Sequence, residues 1–60
     1  MKVYEVIFHY ANSDESESEV LDAKNDADAV KEAMDLLSEF KLGVIKSCYI
    51  EHGQRIIVVL

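Results

Sequence analysis

Apolar and polar positions repeat at two different periods along this chain. From Lys2 to Tyr10 they alternate in twos, with Tyr4, Val6, Phe8 and Tyr10 on one side and Val3, Glu5, Ile7 and His9 on the other. That is the period of a β-strand. Ala11 to Ser18 is polar and acidic, with Asn12-Ser13-Asp14 near its start, and reads as a loop. Glu19 to Ala23 predicts a second, short strand, antiparallel to the first and at a sheet edge, where its charges discourage aggregation.

The period then changes to that of a helix. Val30, Ala33, Met34, Leu37 and Phe40 recur at three- and four-residue spacing and form one apolar stripe. Asn25 is a suitable N-cap and Asp28 occupies the N3 position of a capping box. Asp26 and Asp28 complement the positive end of the helix dipole. Lys41 suits the last turn, Gly43 the C′ position, and Val44 the hydrophobic contact that closes such an end.

Two more strands follow, Val44 to Glu51 and Gln54 to Leu60, with His52-Gly53 as a two-residue turn between them. That turn pairs Glu51 with Gln54, Tyr49 with Ile56, Ser47 with Val58 and Ile45 with Leu60. Cys48 and Ile57, and likewise Lys46 and Val59, then share the opposite face. The apolar run Ile56 to Leu60 predicts a central strand buried on both faces. The element order is ββαββ. It implies an α+β fold with a four-stranded, mainly antiparallel sheet and one helix packed on one face, in a single domain over residues 1–60.

One helix covers only one side of such a sheet. The apolar residues in excess of that side predict a second, uncovered apolar surface, with Val3, Ile7, Ile57 and Val59 as its candidate residues, and patches of this kind mark interfaces. A homodimer packed sheet to sheet is the expectation. A chain of this size buries only about 60% of its unfolded surface, and its single cysteine, Cys48, excludes an internal disulfide.

Charge sharpens the picture. The net charge is −6, and it is segregated. Asp14, Glu15, Glu17, Glu19, Asp22, Asp26, Asp28, Glu32, Asp35 and Glu39 lie between residues 14 and 39 with only Lys24 and Lys31, a net of −8, while the rest of the chain carries +2. Such a field disfavours direct nucleic-acid binding and an anionic membrane surface. Asp28, Glu32, Asp35 and Glu39 follow i, i+4, i+7, i+11 and so align along one helical stripe, about 5–6 Å apart along the axis. Like charges at this spacing cost helix stability, and Glu39 sits at the end of the dipole that prefers a cation. The separation is close to that of successive phosphates on one nucleic-acid strand. The stripe, broadened by Asp14, Glu15, Glu17 and Glu19, therefore predicts a partner-binding surface that imitates nucleic acid and engages a basic nucleic-acid-binding protein. Against this stands the plainer reading of a solvated acidic face that serves solubility.

Nothing in the sequence predicts catalysis, a metal or a cofactor. Cys48, His52 and His9 are the only soft or imidazole ligands, fewer than a zinc site requires. Cys48 reads as a small buried hydrophobe. The carboxylates are solvated, with nothing to raise the pKa of one of them; Glu5, in an apolar strand, is expected to face Lys or Arg on a neighbouring strand. The acidic loop lacks the EF-hand pattern, and Gly43 and Gly53, the only glycines, make no phosphate loop. Met1-Lys2 leads directly into the first strand without an apolar targeting segment, and no apolar run approaches the length of a membrane span. A cytoplasmic protein is expected.

The opening Met-Lys-Val-Tyr-Glu-Val-Ile-Phe and the segment from Val20 to Ala33, with its strand followed by an Asn- and Ala-containing helix, resemble small early proteins of lytic bacteriophages. Acidic host-takeover inhibitors occur in that group and occupy the DNA-binding surfaces of histone-like proteins or RNA polymerase. The resemblance implies an inhibitor of that kind acting in the host cytoplasm. The Met-Lys-x-Tyr strand and Ala-rich helix also resemble the N-terminal part of HicB-type antitoxins. That likeness implies instead an antitoxin-like or adaptor module binding through its apolar sheet face or an edge strand, although the chain lacks their Gly/Pro-containing third strand and DNA-binding segment.

Overall fold

The computed structural model describes residues 2–60, which form an α+β fold of order ββαββ. The strands are β1 (Tyr4–Tyr10), β2 (Ser16–Leu21), β3 (Ile45–His52) and β4 (Arg55–Val58), and the helix is α1 (Asp26–Leu37). All pairings are antiparallel and the sheet order is β2-β1-β3-β4. Because β2 and β3 both run antiparallel to β1, they run parallel to each other with β1 between them. The segment joining them must cross over β1, and α1 occupies that crossover.

The two faces can be read row by row from the register. On the helix side lie Leu21, Tyr4, His52 and Arg55; then Glu19, Val6, Ile50 and Ile57. On the uncovered side lie Val20, Glu5, Glu51 and Ile56; then Ser18, Ile7, Tyr49 and Val58. The core is the helix side: Tyr4, Val6, Phe8, Leu21, Ile45, Cys48 and Ile50 are buried against Ala29 and Ala33. Two fully buried alanines let the helix backbone approach the sheet closely. The alternation in β1 is therefore obeyed as the sequence predicts, with the aromatic side inward.

Several expectations change. β2 begins three residues earlier than predicted, at Ser16, so Glu17 is in a strand rather than a loop. The helix has the predicted N-cap, Asn25, whose side-chain Oδ1 accepts the Asp28 N–H at 2.9 Å. It ends at Leu37, earlier than Lys41 and Gly43 predict. Ser38 N–H still bonds to the Met34 carbonyl, but Glu39 and Phe40 bond three residues back, to Leu36 and Leu37, so the last turn tightens and stops. Gly43, with φ of +86°, serves a separate turn closed by the Val44 N–H on the Lys41 carbonyl at 3.1 Å. Met34, assigned to the buried stripe, is exposed, and the inward positions are Ala29 and Ala33, with Val30, Leu36, Leu37 and Phe40 half-buried around them.

The β3–β4 hairpin turns on Gly53-Gln54, not on His52-Gly53, and pairs Tyr49 with Val58 and Glu51 with Ile56. Gly53 has φ of +64°, and among the described residues no non-glycine residue has positive φ. A single positive φ at the first central position is what a type II′ turn requires, and glycine is favoured there. β4 is an edge strand, not a central one, and its Ile56 and Val58 are exposed. Ile57 and Val59, expected on the uncovered face with Val3 and Ile7, lie on the helix side, half-buried against the core, because Ile57 stands opposite Ile50. Of that set, Ile7 is on the uncovered face and half-buried, and Val3 precedes β1 and is exposed.

Candidate functional site

The acids converge because two elements bring them to one side. On β2, Glu17 and Glu19 stand opposite Phe8 and Val6, so they point to the helix side of the sheet. β2 is the outermost strand there, and both remain exposed. On α1, Asp28, Glu32 and Asp35 face the same border, and with Asp22 and Lys31 they line one shallow depression. The Asp22 N–H points to Glu32 Oε1 at 3.4 Å, across the join between strand and helix. Lys31 is the one cation among these groups. The acidic surface is therefore a two-element face of Glu17, Glu19, Asp22, Asp28, Glu32 and Asp35.

Glu39 does not belong to it in the predicted way. It lies beyond the helix, in the tightened turn, with its N–H on the Leu36 carbonyl. The in-line stripe accordingly reduces to Asp28, Glu32 and Asp35, about 10 Å from end to end by the helical rise. Asp14 and Glu15 lie in the β1–β2 turn, where Glu15 N–H bonds to Ser13 Oγ at 3.1 Å and the Tyr10 N–H bonds to the Glu15 carbonyl at 3.2 Å. Glu17 and Glu15 flank Tyr10, whose phenol pKa is raised first by its hydrogen-bonding interaction with Glu17, then by burial and by both carboxylate charges.

A third group of residues, not singled out by the sequence, fixes the helix on the sheet. Asp26, the first residue of α1, accepts the Tyr4 hydroxyl on Oδ1 at 2.7 Å and the Arg55 guanidinium on Oδ2. β1, α1 and β4 are thus tied at one carboxylate. The Tyr4 hydrogen bond first, and Arg55 second, lower the Asp26 pKa below its ordinary 3.8; the Tyr4 phenol is raised in return. His52 stacks on Tyr4 with ring centroids 3.8 Å apart and planes 6° from parallel. The only signal in the sequence is an acid immediately after a helix N-cap, which the helix dipole explains on its own.

The thiol and imidazoles do not converge. Cys48 is fully buried, and burial raises its pKa. His52 is four positions along the same strand, about 13 Å away by the strand rise. His9 is on the other face, with Nε2 3.4 Å from the Tyr49 hydroxyl. Among the described residues, no group of three or more His, Cys, Asp or Glu is placed to hold a metal ion. Glu5 faces not a base but an acid, Glu51. Among the described residues, no helix is long and apolar enough to cross a membrane.

The acidic surface is open and shallow, formed by side chains on β2 and α1 and by Asp22 between them, rather than by a deep cleft. Its chemistry suits a broad cationic surface better than a small molecule, which needs a concave site that removes it from water. No protein-family model matches the chain, nor does any curated protein or solved structure.

Proposed function

We propose that this is an acidic binding protein that occupies the basic nucleic-acid-binding surface of another protein, in the cytoplasm, and so excludes nucleic acid from it. The observation that carries this reading is the acidic face, in which Asp22, Asp28, Glu32 and Asp35 share one depression with a single cation, Lys31, and Glu17 and Glu19 add to the same side from β2. A helix face serving stability alone would mix signs, because like charges at i,i+4 are unfavourable. The helix and β2 hold their carboxylates on a framework fixed by Asp22–Glu32 and Tyr4–Asp26. A charged surface held rigid before binding loses less entropy when it docks than a flexible acidic tail does.

The target class is a basic DNA-binding protein, such as a histone-like protein or RNA polymerase, as the resemblance to phage early proteins implies. Recognition through the bare sheet face, the adaptor-like alternative, is weakened by the Glu5–Glu51 pair on its two inner strands. The test is competition with labelled DNA for a histone-like protein, followed by fluorescence anisotropy at low and high salt. Displacement that weakens with salt, and is lost on combined Glu19→Lys, Glu32→Lys and Asp35→Lys reversal, supports the proposal. Displacement unchanged by those reversals removes it.

A further inference from the structure

The two open edges of the sheet differ in kind. The β2 edge carries Glu17 and Glu19, whose charges repel a second copy of the chain. The β4 edge carries no acid, and its one charged residue, Arg55, is already paired with Asp26. What it shows to solvent is apolar: Ile56 is 62% exposed, Val58 75% and Leu60 55%. Met34 and the fully exposed Leu42 border the same end of the molecule, along an apolar groove that Val59 and Leu60 also line. Edge strands are normally protected by charge, proline or bulges. Here the only such device is at the far end, where the N–H groups of Val59 and Leu60 both bond to the Cys48 carbonyl at 2.9 Å, a bulge that ends the flat strand.

The direction of the free backbone groups follows from the ladder. Cys48 directs its N–H and C=O to β4. Alternation along β3 therefore directs those of Ile50 and His52 to β4 as well. Their partners are Ile57 and Arg55, which leaves the N–H and C=O of Ile56 and Val58 aimed at the open edge.

We infer that a second copy of this chain pairs with the β4 edge, β4 to β4 and antiparallel, so that two four-stranded sheets become one of eight strands. A twofold axis passing at Ile57 places Ile56 of one copy opposite Val58 of the other, and the reverse, so the same free backbone groups satisfy one another twice. This is an isologous contact, closed after two copies. Packing of the bare sheet faces, the arrangement the sequence suggests, is disfavoured because it buries Glu5 and Glu51 of both copies without cations. In the edge-paired dimer both helices lie on one face of the long sheet, and the two β2 edges with their acids lie at its opposite ends. The inference does not depend on the acidic surface having a partner.

The test is sedimentation equilibrium at micromolar concentration on the wild type, Val58→Pro and Ile7→Lys. Proline at 58 removes an edge-directed N–H and no bond to β3, so it is compatible with a folded edge strand. The wild type and Ile7→Lys are expected at twice the monomer mass and Val58→Pro at the monomer mass with a cooperative unfolding transition. Independently of any variant, amide exchange at Ile56 and Val58 is expected to slow as wild-type concentration rises, while exchange at the Glu17 and Glu19 edge does not. A monomeric wild type, a dimer lost in Ile7→Lys with Ile56 and Val58 exchange insensitive to concentration, or a Val58→Pro that still dimerises would overturn the inference.

Discussion

Glu5 of β1 stands directly opposite Glu51 of β3 on the uncovered face of the sheet, with Val20 and Ile56 completing the row. Like charges placed opposite one another oppose strand pairing. Replacing one by a cation is therefore expected to stabilise the fold by ~0.2–1 kcal/mol. Glu51→Lys should raise the urea midpoint without changing the slope of the transition. Added salt, which screens the wild-type repulsion, should stabilise the variant less than the wild type. A midpoint that falls or does not move would show that the pair is already relieved by solvent.

The Asp26 carboxylate gives the acid limb of stability its sign. Its folded pKa is below the ordinary 3.8, chiefly through the Tyr4 hydroxyl and then Arg55. A depressed pKa contributes stability that is fully present above the unfolded value and is lost as pH falls through the folded one. Asp26→Asn should therefore lower the melting temperature near neutral pH, and the gap to the wild type should close as the pH falls below 3.8. Tyr4→Phe, which removes the larger contribution, should move the Asp26 titration upward when followed by NMR. A gap that persists unchanged into strong acid would assign the loss to packing instead.

The helix start depends on one side chain. Asn25→Ala removes the acceptor for the Asp28 N–H and is expected to cost about 1 kcal/mol, whereas Asn25→Asp should retain most of the stability. Chemical denaturation of the two variants side by side checks this. Equal stability of both would mean that Asp26 and its partners hold the helix end without the cap.

Cys48 is expected to resist thiol reagents in the folded protein, because it is fully buried and burial raises its pKa. Its labelling should follow opening of the structure and accelerate with denaturant. Cys48→Ser places a hydroxyl at the same buried position, opposite Phe8, and should cost ~1–3 kcal/mol. Rapid labelling in buffer would contradict the packing described above.

Local patterns in the sequence carried much of this architecture. The alternation in β1, the Asn25 cap and the positive φ at Gly53 are all set by short-range sterics and hydrogen bonding, and each is found where the residues indicate. What the sequence did not reveal depended on neighbours distant in the chain. The run Ile56 to Leu60 has the composition of a central strand, but a strand's place in a sheet is set by which partners reach it, and only β3 does. Gly53 marked the turn but not its phase, since glycine satisfies either central position in different turn types. The acidic segment was legible as charge. That its strand and helix portions share a face required the register that places Glu17 and Glu19 beside Phe8 and Val6.

Glu39 shows the limit of periodicity in the other direction. Its spacing continues the stripe of Asp28, Glu32 and Asp35, yet the helix has ended before it. No proline or glycine in the sequence marks that end; backbone bonds shifting to three-residue spacing do.

The strand order also has a kinetic consequence. β1 with β2, and β3 with β4, are hairpins whose contacts are close in sequence and form within about 1–10 μs in isolation. The seam between β1 and β3 joins residues such as Val6 and Ile50 across most of the chain. Closing that seam is the step with the largest loop entropy to overcome. Substitutions at Val6 or Ile50 should therefore slow folding, while those at the outer edges, such as Glu19 or Val58, should act mainly on the rate at which the protein comes apart.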